Sequence, residues 1–197
     1  MNPLSQTEAF ARIRLLRSPN IGPVSFRQLL ARFTTAEAAL AALPDLAGRG
    51  GARYRPAAEA RVADEIAAVK RSGVRYLFHD SPDCPALLAQ AGDAPPILTA
   101  RGDSAIAARP CDAIVGARNA SAAAVKLARQ FASVLSEAGF AVVSGLARGI
   151  DGAAHGASVG GAGGTIGVIA SGIDITYPPE HTALQEKVAT RGLLLAE

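Results

Sequence analysis

The amino-acid sequence predicts an α/β protein in which a doubly wound parallel sheet (residues 73–197) follows a small all-helical domain (residues 1–72). Three observations carry this. Up to Ser72, apolar residues recur at helical spacing between clusters of turn formers. From Val74 on, short apolar runs replace them, and after residue 113 these runs alternate with helical stretches, the pattern of a parallel sheet wound with helices. The third is the stretch from 140 to 169, FAVVSGLARGIDGAAHGASVGGAGGTIGVI. It reads as strand, glycine loop, short helix of small residues, glycine turn and strand, a compact βαβ unit with parallel strands.

In the front domain, Ser5 and Glu8 have the spacing of a capping box, and Ala9, Phe10, Ile13 and Leu16 follow at helical intervals. Ser18-Pro19-Asn20-Ile21-Gly22-Pro23 is a turn, and a second helix runs from about Val24 to Phe33. Thr34 and Glu37 make another capping box for a third helix reaching about Leu43. Gly48, Gly50 and Gly51 form a flexible loop. Pro56 suits the first turn of a fourth helix that ends near Ser72. Two helices joined by Asn-Ile-Gly resemble a helix-hairpin-helix, in which hairpin N–H groups and nearby basic side chains hold a DNA phosphate without reading sequence. A plain packing turn is the other reading.

In the second domain, Val74–Phe78 reads as a strand, and His79 falls in the turn after it. Pro95-Pro96 leads into a strand at Ile97–Ala100, which suits a sheet edge because proline donates no ladder hydrogen bond. Ala113–Val115 is the next strand. A helix from about Ser121 to Ala138 presents Val125, Leu127, Ala128, Phe131, Val134 and Leu135 as an apolar face and stops at Gly139. After the βαβ unit come a corner at Tyr177-Pro178-Pro179, a helix from about Thr182 to Ala189, and a final strand at Leu193–Leu195.

Composition narrows the class. Hydrophobic residues make up 49% of the 197, but no run approaches a membrane span, and the start has no signal-peptide pattern. The expectation is a cytoplasmic protein with no membrane partner. Cys84 and Cys111 are isolated and read as inert, buried thiols. The net charge of +3 is uneven: residues 1–75 hold twelve Lys and Arg against six Asp and Glu, and the remainder holds eight against eleven. A basic front suits an acidic polymer, such as a phosphate backbone, or is a solvated arginine-rich surface.

The chemistry concentrates in three glycine loops, each after a candidate strand: Gly116-Ala117-Arg118, Ser144-Gly145-Leu146-Ala147-Arg148-Gly149, and Ser171-Gly172-Ile173-Asp174. In a parallel sheet the carboxyl ends of the strands share one edge, so the loops should line one crevice. Glycines permit close backbone approach, arginine supplies a bidentate fork, and the free N–H groups of a helix start face the same crevice. That set suits phosphate. It lacks G-x-x-x-x-G-K-[ST], a G-x-G-x-x-G after a strand, and a G-x-S-x-G elbow. Asp151 and His155 are four apart on one helix with no third metal ligand spaced nearby. Asp151 is expected to orient the helix start and His155 to bond a neighbouring loop. Tyr177 either stacks on a base or forms a rigid corner with its prolines. No cofactor is implied.

VSGLARGIDGAAHGAS, followed by GGTIGVIASGIDITYPPEH, resembles the signature of the DNA processing protein A (DprA/Smf) family, and Ile114-Val115-Gly116-Ala117-Arg118 resembles its V-G-[SA]-R. The likeness covers about 75–197 in a Rossmann-like domain. The helical front is similar to the family's sterile-alpha-motif-like, helix-hairpin-helix-type domain. The resemblance implies a non-enzymatic bacterial protein that binds single-stranded DNA, assists loading of a RecA-type recombinase on it, and protects incoming DNA in natural transformation. It implies a homodimer for the full-length protein. Arg118 would hold a DNA phosphate, with Gly116, Ala117, Ser144, Gly145, Arg148, Gly149 and Gly172 lining the same site. Gly164 and Pro179 stand where members often carry a basic residue, removing two possible phosphate contacts. Leu193 to Glu197 resembles the middle of the family's core domain, so a fragment ending in an uncovered sheet edge is expected.

Two other classes stay open. Gly160 to Thr165 resembles the P-G-G-x-G-T loop of LOG-type nucleotide phosphoribohydrolases, but Ile166 to Ile173 holds no acidic residue for the acid-base step, and Asp174 is the first candidate. The other is a non-DNA-binding interaction module, with the helical front docking a partner and the sheet only a scaffold, in which neutralising Arg118 changes nothing in DNA binding.

Overall fold

The computed structural model describes residues 4–47, 54–92 and 94–197; the glycine loop expected at Gly48, Gly50 and Gly51 lies outside the described residues. The front of the chain folds into α1 (Gln6–Leu16), α2 (Pro23–Phe33), α3 (Ala36–Ala47) and α4 (Glu59–Arg71). Ser5 caps α1 by accepting from Glu8 N–H at 3.1 Å. The Glu8 carboxylate does not complete the box. It accepts instead from Arg12 Nε at 2.9 Å and from Ala36 N–H at 3.0 Å, which ties α1 to the start of α3.

Two capping assignments shift. Thr34 closes α2 with φ +68°, so Thr35 caps α3, accepting from Ala38 N–H at 3.2 Å. Pro56 lies outside α4, which begins at Glu59 after Ala58. In the turn before α2 the left-handed residue is Asn20, with φ +62°, whereas Gly22 is extended at φ −102°.

The chain forms two compact units, one of Met1–Gly73 with Phe78–Ile97 and one of Val74–Leu77 with Leu98–Glu197. The chain therefore passes between units more than once. Residues 78–97, with the one-turn α5 (Ala86–Ala89), group with the helices: Asp80 accepts from Arg12 Nη1 at 2.6 Å, and the Ala94 carbonyl from Arg27 Nη1 at 3.1 Å.

The sheet contains β1 (Arg75–Phe78), β2 (Ile97–Gly102), β3 (Cys111–Ala113), β4 (Ala141–Ser144), β5 (Thr165–Ile169) and β6 (Leu193–Ala196), in the order β1-β2-β6-β5-β4-β3. Strands β3 to β6 run parallel, and β2 pairs antiparallel with β6. This mixed, mainly parallel sheet revises two edge assignments. β2 is interior, with β1 and β3 at the edges, and its prolines lie before the ladder rather than in it. β6 is also interior, and its run of Leu193, Leu194, Leu195 and Ala196 is buried throughout, as expected of a strand covered on both faces.

Helices α6 (Ala122–Glu137), α7 (Ile150–Ser158) and α8 (Thr182–Arg191) connect the parallel strands, with α6 against α7 and α7 against α8. Small residues set this packing: Ala132, Val142 and Ala154 form a buried cluster with Ile114, Leu135 and Ala157 against it. The face expected of α6 is split. Ala128, Ala132 and Ser136 are buried, whereas Leu127, Phe131 and Val134 point outward, Phe131 being 57% exposed. One heptad-like pattern hides two faces here because alanine fills the close inner contact that larger side chains could not.

Candidate nucleic-acid interface

Strands β3, β4 and β5 deliver loops 114–121, 145–149 and 170–178 to one edge of the sheet, because the three strands are parallel and adjacent. β3 ends at Ala113, two residues earlier than the apolar run implied, so Val115 belongs to the loop and is 72% exposed. The first two loops interlock. Ser144 is buried and its Oγ donates to the Ile114 carbonyl at 2.6 Å, while Ile150 N–H donates to the Ala117 carbonyl at 3.3 Å. Gly149 has φ +76°, and a Cβ there would lie 2.7 Å from the Arg118 carbonyl oxygen. A Cβ on Gly116 would lie 2.7 Å from Ile150 Cγ1. Only glycine lets these two loops approach so closely.

The end of the third loop closes on the second. His181 Nδ1 donates to the Leu146 carbonyl at 2.8 Å, and the Arg148 fork pairs with Glu180, through Nε to Oε1 and through Nη2 to Oε2 at 3.1 Å. Leu146 sits in this loop with φ +57° and its side chain fully buried. Asp151 orients the same loop by accepting from Gly145 N–H at 3.2 Å.

The expected site residues therefore differ in what they offer. Arg118 is exposed and has no acidic partner among the described residues; nor do the N–H groups of Ala117 and Arg118 meet an acceptor among them. Arg148 is exposed but already paired. Ser144 serves the β3–β4 junction instead of the crevice. Gly172 is exposed in a turn of its own, closed by Ile175 N–H donating to its carbonyl at 2.8 Å, and a Cβ there would lie 3.0 Å from Asp174 Oδ1. The start of α7 is less open than its dipole suggests: Ile150 and Gly152 N–H are taken by the Ala117 and Ala147 carbonyls.

The possible metal pair is committed elsewhere. His155 is fully buried, and its Nδ1–H donates at 2.8 Å to Thr165 Oγ1, which itself donates to the Val142 carbonyl at 2.7 Å. Burial pushes the imidazole down to about 4, so it is neutral at physiological pH. Among the described residues no group of three His, Cys, Asp or Glu is placed to hold a metal ion. Cys84 and Cys111 are half-buried rather than buried, and burial raises both thiols, away from reactive thiolate.

The basic front is less free than its charge implied. Arg12, Arg14 and Arg17 pair with Glu8 and Asp80, with Glu59 and with Glu65. Sequence reasoning missed Glu180 and His181. Both lie within the YPPEH corner, but their partners stand 32 and 35 residues away, a separation without periodic signal.

A family model described as DNA recombination-mediator protein A matches residues 75–197, and one described as a DprA-like N-terminal HHH domain matches residues 6–68. The putative DNA processing protein DprA of Mycobacterium tuberculosis is 37% identical over 150 residues, covering 70% of this chain and 39% of that protein. The chain thus spans well under half the length of this relative. The X-ray structure of DNA processing protein A from Streptococcus pneumoniae superposes with a TM-score of 0.71 at 25% identity, covering 99% of this chain and 68% of that one. A structure of the Helicobacter pylori protein, described for its single-stranded DNA binding mode, gives a TM-score of 0.54 at 27% identity over 62% of this chain and 55% of that one. No helix among the described residues is long and apolar enough to cross a membrane.

Proposed function

The chain belongs to the DNA processing protein A (DprA/Smf) family, and from that premise we propose that it binds single-stranded DNA as a recombination mediator, without catalysing a reaction. Arg118 is the primary phosphate contact in this reading, with the N–H groups of its loop beside it. The bases stay open to a RecA-type recombinase, which the complex helps to load during natural transformation, and the whole protein acts as a homodimer. The description of the Helicobacter pylori structure supports the ligand class.

The observation that carries the proposal is the exposed Arg118 guanidinium, unpaired among the described residues, at the carboxyl edge of a parallel sheet, on a loop that Gly149 allows to sit against its neighbour. An arginine fork with nearby free N–H groups recognises phosphate oxygens and ignores base identity, so it holds a strand without sequence preference. Two acids beside the crevice are already committed among the described residues: Asp151 to Gly145 N–H, and Glu180 to Arg148.

Fluorescence anisotropy with labelled oligo-dT, competed by unlabelled single strand and by duplex of equal length, tests this. Single strand is expected to compete better, with affinity falling steeply as salt rises. Equal competition by duplex overturns the single-strand assignment.

A further inference from the structure

The second arginine of the crevice is already occupied by a carboxylate, and that carboxylate is held there by its own chain. Glu180 lies in the short 3₁₀ turn Pro179–His181, behind the buried Pro178 and in front of α8, where Thr182 Oγ1 donates to the Pro179 carbonyl at 2.7 Å. Its neighbour His181 bonds the Leu146 carbonyl at 2.8 Å and covers Gly152, where a Cβ would lie 3.0 Å from His181 Nε2. Two consecutive residues thus grip one loop: His181 holds Leu146, and Glu180 takes the guanidinium two residues on. Both oxygens of Glu180 engage the Arg148 fork through Nε and Nη2. A phosphodiester presents the same pair of oxygens to the same fork. Arg118 has no such internal partner among the described residues.

We propose that Glu180 is a built-in competitor for backbone phosphate at Arg148, so that the crevice of the free protein offers, among the described residues, one open arginine, Arg118, and one capped. This rests on the crevice being the phosphate-backbone site. The side chains of Arg148 and Glu180 are 52% and 51% exposed, so the pair is solvent-screened and opens readily. A single phosphate meets Arg118 and has nothing to set against Glu180. A strand held at Arg118 presents its next phosphates to Arg148 at high effective concentration, and one of them displaces the carboxylate. The crevice is thereby selective for polymer over free nucleotide or inorganic phosphate.

The test compares the parent chain, Glu180→Gln, Arg148→Ala, Arg118→Ala and the Arg148→Ala/Glu180→Gln double variant. Oligo-dT affinity is measured by anisotropy over a salt series, and folding is checked by circular dichroism. Glu180→Gln is expected to bind roughly threefold to fivefold tighter, the factor a screened surface pair represents. Its gain should vanish in the Arg148→Ala background. An equal gain in that background means Glu180 acts only through the general field, and overturns the proposal. Unchanged or weaker binding by Glu180→Gln means the carboxylate merely positions Arg148, and also overturns it. If the parent binds, Arg118→Ala abolishes binding and Glu180→Gln is silent, only this proposal falls. If neither the parent nor Glu180→Gln binds, it falls together with the reading beneath it.

Discussion

Replacing Gly149 by alanine strikes the point where the two arginine loops meet. The backbone there has φ +76° and ψ −118°, a combination that side-chain-bearing residues avoid at a cost of about 1–3 kcal/mol. The added Cβ would also collide with the Ala117 carbonyl and lie 2.7 Å from that of Arg118, so one loop must move; overpacking of this kind costs about 1–3 kcal/mol more. A total of about 2–6 kcal/mol is a large part of the roughly 5–15 kcal/mol by which a domain is stable. Urea unfolding followed by circular dichroism is the assay. With a slope of about 2 kcal/mol per molar, the midpoint should fall by roughly 1–3 M at unchanged slope. The displaced Arg118 loop should also weaken oligo-dT binding in conditions where the variant is folded. A midpoint within roughly 0.2 M of the parent refutes the claim that glycine is required for this approach.

Other consequences follow from the same structure. His155 has its folded value near 4 against 6.5 for a free imidazole, so between those pH values the unfolded chain takes up a proton that the folded one refuses. Stability should therefore be intact above pH 6.5 and fall by up to about 3 kcal/mol as pH drops to 4. His155→Gln should flatten that part of the profile, and an unchanged slope would show that the imidazole is not held neutral. Arg12→Met strands the largely buried Glu8 carboxylate with only Ala36 N–H, and should cost about 2–3 kcal/mol in thermal or urea unfolding; no loss would mean the pair is not a structural tie. Phe131→Ser should change stability by less than about 0.5 kcal/mol, since the ring points outward; a loss above about 2 kcal/mol would place it in a core.

Much of the architecture is legible in the sequence because its signals are local. Ser121 caps α6, accepting from Ala124 N–H at 3.2 Å, and the apolar run at Thr165–Ile169 coincides with β5. The order of helices and strands follows from the change in period near residue 74. What the sequence does not reveal depends on partners distant along the chain. The interior place of β2 comes from antiparallel pairing with β6, where Thr99 faces Ala196. The two faces of α6 are set by how closely alanines let α7 approach, which periodicity alone does not encode. In the candidate site, glycines and arginines mark the loops that the sheet brings together, but not which arginine is open. Arg118 and Arg148 look equivalent in sequence, each in a glycine-containing loop after a strand. They differ because the YPPEH corner folds back and places Glu180 on one of them. Ser144 likewise looks like a ligand-facing hydroxyl until β3 brings the Ile114 carbonyl within 2.6 Å.

In the proposed function, Arg118 is the residue on which single-stranded DNA binding at this crevice depends. Oligo-dT affinity of the parent and of Arg118→Ala should be measured by anisotropy at several salt concentrations, with both chains shown to be folded. Loss of a charge-assisted phosphate contact predicts roughly tenfold or greater weakening, and a salt slope shallower by about 0.7 for one contact on a single strand. Equal affinity and equal slope for the two chains would place the DNA on another surface and contradict the assignment.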